Sequence, residues 1–217
     1  MAIGLGASIL LSGVAGTGCA SNKSSSPSST TSSSTSTSSA SPSSAPSTSN
    51  SGAQPSDYSN LLIKPADIVV PGENFALVST RPLTDPTGIL GKFGSGPTTI
   101  DGSAHEVDVS LHIYPDAAGA TQEHDQVAPY IANPDMGFTL AGGTVTPADV
   151  GTGGAMALGT NGLDAALKQR ARVVFSEGRV FAQIEFFNPG NDPLKPDFVL
   201  DVARKQDAAI KAALPAA

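Results

Sequence analysis

The sequence predicts an α+β domain in which an antiparallel sheet is flanked by helices. Three observations lead to this class. Residues 106–113 alternate apolar and polar side chains, residues 170–187 have the pattern of a β-hairpin, and residues 195–214 repeat apolar side chains at helical spacing. A period of two indicates a strand with one buried face, and a period of 3.6 indicates an amphipathic helix. Strands joined by tight turns pair antiparallel, and the helices bury their apolar stripes against the sheet.

The most regular strand lies in the segment HEVDVSLHIY. Its apolar residues alternate with polar ones: Val107, Val109, Leu111 and Ile113. Pro115 ends the strand, and Asp116 is placed to cap a helix over the segment AAGATQEHDQVA. Pro129 ends or kinks that helix, because proline has no backbone N–H to donate.

The segment RARVVFSEGRVFAQIEFF predicts a hairpin with its turn at Glu177-Gly178. That register pairs six apolar residues on one face: Phe175 with Val180, Val173 with Ala182, and Ala171 with Ile184. Arg170 and Arg172 then fall on the opposite, wet face, so a slip of one residue would bury charges. After the hairpin, Pro196 suits the first turn of the closing helix.

The second face of the hairpin also carries apolar residues, and it is the candidate ligand-binding site. Val174 is predicted to pair with Phe181, and Phe187 lies further along the same face. A sheet with apolar residues on both faces either is covered by a second layer or meets a ligand. The first helix is one candidate for that cover, and an apolar groove formed by Val174, Phe181 and Phe187 is the other.

The first 56 residues have a composition unlike that of the rest. Residues 1–18 are apolar or small and carry no charge, which is typical of a secretory signal peptide and too short for a transmembrane helix. From residue 21 to residue 56, 24 of 36 residues are Ser or Thr. Such a segment lacks the apolar surface needed to fold, so residues 19–56 are predicted to be a disordered linker. One domain is then predicted over residues 57–217.

Cys19 is the single cysteine, and it stands where the apolar segment meets the linker. The residues Gly16-Thr17-Gly18-Cys19 resemble a bacterial lipobox, although Gly16 stands where leucine is usual. We expect acyl chains such as palmitate on this thiol, since two or more chains anchor a protein stably. The alternative is an ordinary small residue in a leader. No basic segment precedes the apolar one, as expected if the natural start lies upstream of Met1.

Charge excludes some partners. All 19 acidic residues and 11 of the 12 basic residues follow residue 56, so the folded part carries a formal charge of −8. A surface of this sign does not favour nucleic acid or an anionic membrane as a direct partner.

Spacing along the chain predicts no catalytic group, no metal and no cofactor. His105 and His112 are seven residues apart near one strand, so they face opposite ways, and His124 is expected to be exposed beside acidic residues. The glycine-rich segment GTGGA is followed by a strand pattern rather than a helix, so it does not predict a phosphate site. It indicates a turn or a close backbone approach. An enzyme would need side chains that converge only in the fold.

Three segments together carry a resemblance to known proteins: VSLHIYPDAAGA, VTPADVGTGGAMAL and the hairpin with its closing helix. Their order is similar to that of domains of the Mog1/PsbP-like α/β/α sandwich type. It also looks like the extracellular sensor domain of some mycobacterial Ser/Thr kinases. With Cys19 and the linker, the chain resembles small cell-envelope lipoproteins of mycobacteria and related actinobacteria. The resemblance implies a binding or sensing module without catalysis.

Two functions therefore remain open. The first is a lipid-anchored extracytoplasmic module that binds a cell-envelope ligand, such as a lipid, or a protein partner. The second is a structural or adaptor lipoprotein without a small-molecule site. The first predicts an apolar groove at the Val174 face, and the second predicts that a helix covers it.

Overall fold

The computed structural model of the protein describes residues 57–96, 105–136, 138–140, 144–162 and 168–214. The predicted signal peptide, Cys19 and the linker lie outside these residues. The elements in chain order are β1 (Phe75–Thr84), β2 (Thr87–Ser95), β3 (Glu106–Ile113), α1 (Ala117–Val127), β4 (Phe138–Leu140), β5 (Thr146–Pro147), β6 (Thr152–Asn161), β7 (Gln169–Glu177), β8 (Val180–Asn188) and α2 (Pro196–Ala213). Short 3-10 helices lie at Ser59–Leu61, Pro65–Asp67, Ala128–Tyr130 and Pro134–Met136.

The eight strands form one sheet in the order β1-β2-β3-β8-β7-β6-β4, and β5 pairs with β6. Each pairing is antiparallel. Strands β1 to β3 form one meander and β6 to β8 form another, and the β3–β8 pairing joins them. The predicted class, an α+β domain built on an antiparallel sheet, is confirmed.

The hairpin is present, but its register differs from the prediction by two residues. Glu177 pairs with Val180 across a two-residue turn, and Val173 therefore lies opposite Ile184 rather than Ala182. Gly178 in the turn has a φ of +52°, as two-residue hairpin turns require. The tighter turn pairs two more residues than the predicted loop. Because side chains alternate with a period of two, a shift of two residues leaves each on its predicted face.

Helix α2 packs on one face of the sheet and forms the larger core. Its buried residues, all but the last of which belong to the stripe that the sequence predicts, are Val199, Val202, Ala203, Gln206, Ile210 and Asp207. They meet apolar side chains of β3, β7 and β8, including Val109, Val173 and Ile184. Asp207 was not predicted to be buried. Its carboxylate lies 2.7 Å from Nζ of Lys211, one turn along the helix.

Helix α1 packs on the opposite face of the sheet. Asp116 caps it as predicted, since its carboxylate accepts a hydrogen bond of 3.0 Å from the backbone N–H of Gly119. Ala120 and His124 are its buried residues. The segment after α1 adds Ile131 to a second, smaller apolar cluster on this face. The sheet thus carries a helix on each face.

Candidate ligand-binding cavity

The structure places two of the three predicted ligand-binding residues in the core. Val174 is 0% exposed and Phe181 is 1% exposed, and both belong to the smaller apolar cluster with Ala120 of α1 and Phe138 of β4. Helix α1 therefore covers this part of the sheet, and the predicted groove is not open at Val174 and Phe181. Nor do these two residues pair: Val174 lies opposite Gln183.

Phe187, the third predicted residue, is partly buried beside a charged array. The guanidinium of Arg170 lies 5.2 Å from the centre of its ring. The charged array consists of Arg170, Arg172 and Glu185. The carboxylate oxygens of Glu185 lie 2.6 Å from Arg170 and 2.7 Å from Arg172. Each arginine is only 9% exposed, so the predicted wet face is wrong at these positions. Burial lowers the pKa of Arg172, and the charge of Glu185 opposes that shift.

A cavity of about 150 Å³ lies elsewhere, between the segment before β1 and the segment that joins β8 to α2. Its apolar lining consists of Val69, Val70, Pro71, Pro193 and Phe198. His105, Asn188, Asp192 and Lys195 supply polar groups. An apolar cavity of about 150 Å³ holds a molecule the size of benzene. This site combines an apolar wall with several polar groups.

His105 connects the two segments that form the cavity. Its Nδ1 lies 2.6 Å from a carboxylate oxygen of Glu73, before β1, and its Nε2 lies 2.7 Å from a carboxylate oxygen of Asp192, after β8. Both ring nitrogens donate at once only when the imidazole is protonated. In that form one histidine holds both walls of the cavity together.

Gln206 of α2 fixes the chain that leads into the cavity wall. Its Oε1 accepts a hydrogen bond of 3.0 Å from the backbone N–H of Ile63, and its Nε2 donates one of 2.6 Å to the carbonyl oxygen of Leu61. Lys205 donates a further bond of 2.8 Å to the carbonyl oxygen of Asp67. Since Gln206 is wholly buried, these bonds are shielded from water and hold the approach to the cavity on α2. In the sequence, Gln206 stands out only as a polar residue within the apolar stripe of the closing helix, and its hydrogen-bond partners cannot be identified.

The histidines have separate environments. His105 contacts Glu73 and Asp192, whereas Nδ1 of His112 lies 2.7 Å from a carboxylate oxygen of Glu123. Within the described ranges, no three His, Cys, Asp or Glu side chains are grouped to hold a metal ion.

His124 is 8% exposed, so the prediction that it is exposed was wrong. It packs against Gly153, where a Cβ atom would lie 2.6 Å from the ring carbon Cε1. The close backbone approach predicted for the segment GTGGA is therefore confirmed.

Comparisons of the chain with protein-family models, with curated proteins and with solved structures found no match. Among the helices that the structure describes, none has both the length and the apolar character needed to cross a bilayer.

Proposed function

We propose that this chain is a lipid-anchored extracytoplasmic binding or sensor-like module whose cavity takes the apolar part of a cell-envelope ligand. The cavity beside His105 carries the proposal. Ligand sites are concave and mainly apolar, with a few placed polar groups that fix orientation. The cavity has this composition, and both of its walls are held by specific hydrogen bonds.

The chemistry of the lining favours an amphipathic ligand. A ring or the end of an acyl chain fits against Phe198 and the two prolines, with a polar group toward Asn188 and Lys195. A volume of about 150 Å³ is too small for a whole diacyl lipid, so most of a larger ligand would stay outside.

The arrangement of helices supports the proposed fold family. Helices α1 and α2 on opposite faces of an antiparallel sheet are consistent with the Mog1/PsbP-like α/β/α sandwich, and with the kinase sensor domains that it resembles. Lipidation of Cys19 and a flexible linker would hold such a domain at the extracytoplasmic face of the membrane. Roughly 30–36 Å is the root-mean-square span of a flexible 36-residue coil.

An adaptor lipoprotein without a small-molecule ligand is the second candidate, and the edge of the sheet favours it. Strand β1 ends the strand order and exposes Leu77 by 43% and Val78 by 50%. An exposed edge strand with apolar side chains accepts a strand from a partner protein.

The test is ligand retention by residues 20–217, purified without detergent and incubated with a lipid extract of an actinobacterial envelope. Native mass spectrometry identifies what stays bound, and decanoate serves as a defined probe. We expect Val70→Phe, which fills the cavity, to lower decanoate binding at least tenfold. Val78→Phe is the matched control, because it makes the same substitution on the exposed edge. If the unsubstituted protein retains no lipid and no decanoate, the binding proposal fails and the adaptor is favoured.

A further inference from the structure

Three side chains on the α1 face of the sheet form a continuous hydrogen-bonded series. Ser110 and His112 are two residues apart on β3 and therefore share a face. The Oγ of Ser110 lies 3.2 Å from Nε2 of His112, and Nδ1 of His112 lies 2.7 Å from Oε1 of Glu123 on α1. None of the three lines the cavity beside His105.

The chemistry of the acceptor fixes the direction of these bonds. An ionised carboxylate only accepts hydrogen bonds, so Nδ1 of His112 carries the proton that is donated to Glu123. In the neutral ring, Nε2 is then the acceptor, and it receives the hydroxyl proton of Ser110. Hydroxyl, imidazole and carboxylate in this order activate a serine as a nucleophile, because the ring takes the hydroxyl proton and the carboxylate stabilises the resulting cation.

Neighbouring groups hold the series in place. The other oxygen of Glu123 accepts a hydrogen bond of 2.5 Å from the hydroxyl of Tyr114. Burial raises the pKa of Tyr114, and so does its hydrogen bond to Glu123, so the phenol remains a donor. The ring of Tyr114 packs against Gly119, where a Cβ atom would lie 2.9 Å away. The ring of His112 lies 5.7 Å from that of Phe181.

A donor for a developing oxyanion lies across the strand pair. Gln183 of β8 lies opposite Ser110 of β3, so their Cβ atoms are neighbours on one face. One N–H of the Gln183 amide donates to Glu185 at 3.0 Å, and a carboxamide nitrogen carries a second N–H donor. Carboxamide side chains of this kind stabilise oxyanions in acyl transfer. Ser110 itself is partly exposed, which leaves a route for a small acyl group.

We propose that Ser110 is the nucleophile of an acyl-transfer site that hydrolyses small esters. The Oγ atom bonds to the ester carbonyl carbon while its proton passes to Nε2 of His112. The bond between that carbon and the alcohol oxygen then breaks, and the alcohol leaves with the proton from His112. A water molecule then bonds to the carbonyl carbon of the acyl-serine while its proton passes to Nε2 of His112. The bond between that carbon and Oγ breaks, Oγ takes the proton back, and the carboxylic acid leaves, with no oxidation or reduction. Spacing along the chain predicts no such group, because Glu123 joins it only through the packing of α1 on β3.

The test uses the full chain and a fluorophosphonate probe, which forms a stable bond only with an activated serine. We expect the native protein to be labelled at Ser110, as located by peptide mass spectrometry, and the heat-denatured protein to stay unlabelled. Ser110→Ala removes only a hydroxyl and abolishes labelling, while Ser79→Ala on the exposed edge of the sheet is the matched control and leaves it unchanged. Glu123→Gln lowers the labelling rate, and the rate of p-nitrophenyl acetate hydrolysis, by about a hundredfold.

Two results would overturn the proposal. One is a native protein that takes up no label at Ser110. The other is labelling at the same rate in Glu123→Gln as in the unsubstituted chain. In either case the series only fastens α1 to β3, and Glu123→Gln then lowers the unfolding midpoint without any change in reactivity. Circular dichroism of Ser110→Ala and Glu123→Gln confirms that both are folded, so a loss of labelling is not a loss of structure.

Discussion

Phe181 and Phe187 lie on the same face of β8, six residues apart, and differ in burial. Phe181 is enclosed by α1 and the chain that follows it, whereas Phe187 is only partly covered and contacts Arg170. Alternation along a strand predicts which face a side chain is on, but it does not predict what covers that face. Helix α1 covers Phe181, and the position of α1 on the sheet depends on tertiary packing rather than on the spacing of residues along β8.

This difference predicts unequal effects of truncation. Phe181→Ala removes a ring from a packed cluster and is expected to lower the free energy of unfolding by about 3–5 kcal/mol. Phe187→Ala, the matched control, is expected to cost about 1 kcal/mol or less. Urea unfolding of the two variants measures both values. If Phe181→Ala left stability unchanged and reduced lipid binding, the ligand role first predicted for Phe181 would be restored.

A prediction that was wrong at the scale of residues is the solvent exposure of Arg170 and Arg172, which are buried. Arg170 and Arg172 were predicted to face solvent because the hairpin register places them opposite the apolar face. Their common partner Glu185 and the rings of Phe138 and Phe187 allow them to be buried instead. The predicted hairpin already placed Glu185 opposite Arg170, but Phe138 lies on β4 and Phe187 pairs with Arg170 only in the observed register, so the aromatic cover was not predictable from β7.

At the scale of elements, prediction succeeded where a local signal marks an end. Helix α1 was predicted over 117–128 and is observed at Ala117–Val127, and α2 was predicted over 195–214 and is observed at Pro196–Ala213. An Asp cap and a proline in the first turn are signals of this kind. The hairpin register had a weaker signal, because Glu177-Gly178 marks a turn but does not set the number of residues in it. Alternation is equally consistent with registers that differ by two residues, so the turn decides between them.

The contact between α2 and the segment before β1 includes a wholly buried amide, that of Gln206. Gln206→Leu removes both of its hydrogen bonds and leaves a buried N–H and a buried carbonyl without partners. We expect a loss of about 3 kcal/mol, since each unsatisfied buried group costs about 1–3 kcal/mol. Lys205→Leu is the control, because its bond to Asp67 is nearer to solvent and its loss should cost about 1 kcal/mol or less. Equal losses in the two variants would contradict a special role for Gln206.

At the scale of the whole molecule, a distinct prediction concerns the N-terminal part. Lipidation of Cys19 should direct the full chain to the detergent phase of a Triton X-114 partition, and Cys19→Ser should move it to the aqueous phase. The reason is that acyl chains contribute about 0.8 kcal/mol per buried CH₂. A mass increase that matches acyl chains, present in the unsubstituted protein and absent from Cys19→Ser, checks the assignment. A chain that stays in the detergent phase after this substitution is held by something other than a lipid on Cys19.

Neither candidate site was predictable from the order of residues. The cavity brings together residues 69–71, His105 and Phe198, and the hydrogen-bonded series joins β3 to α1. Each local pattern predicts one element well, while a site depends on how distant elements pack. The fold class was predictable because every element contributes evidence for it, and a site rests on a few contacts.

The β3–β8 pairing, which joins the two meanders, also has a consequence for how the molecule is made. Ile113 and Val180 pair in the sheet although 67 positions separate them. At a synthesis rate of about 5–20 residues per second, roughly 3–13 s pass between the emergence of these two ends. During that interval β3 is an open edge whose apolar face, with Val109 and Leu111, lacks its neighbour. Until β8 is made, the first meander therefore has an unpaired apolar strand edge that another chain can pair with.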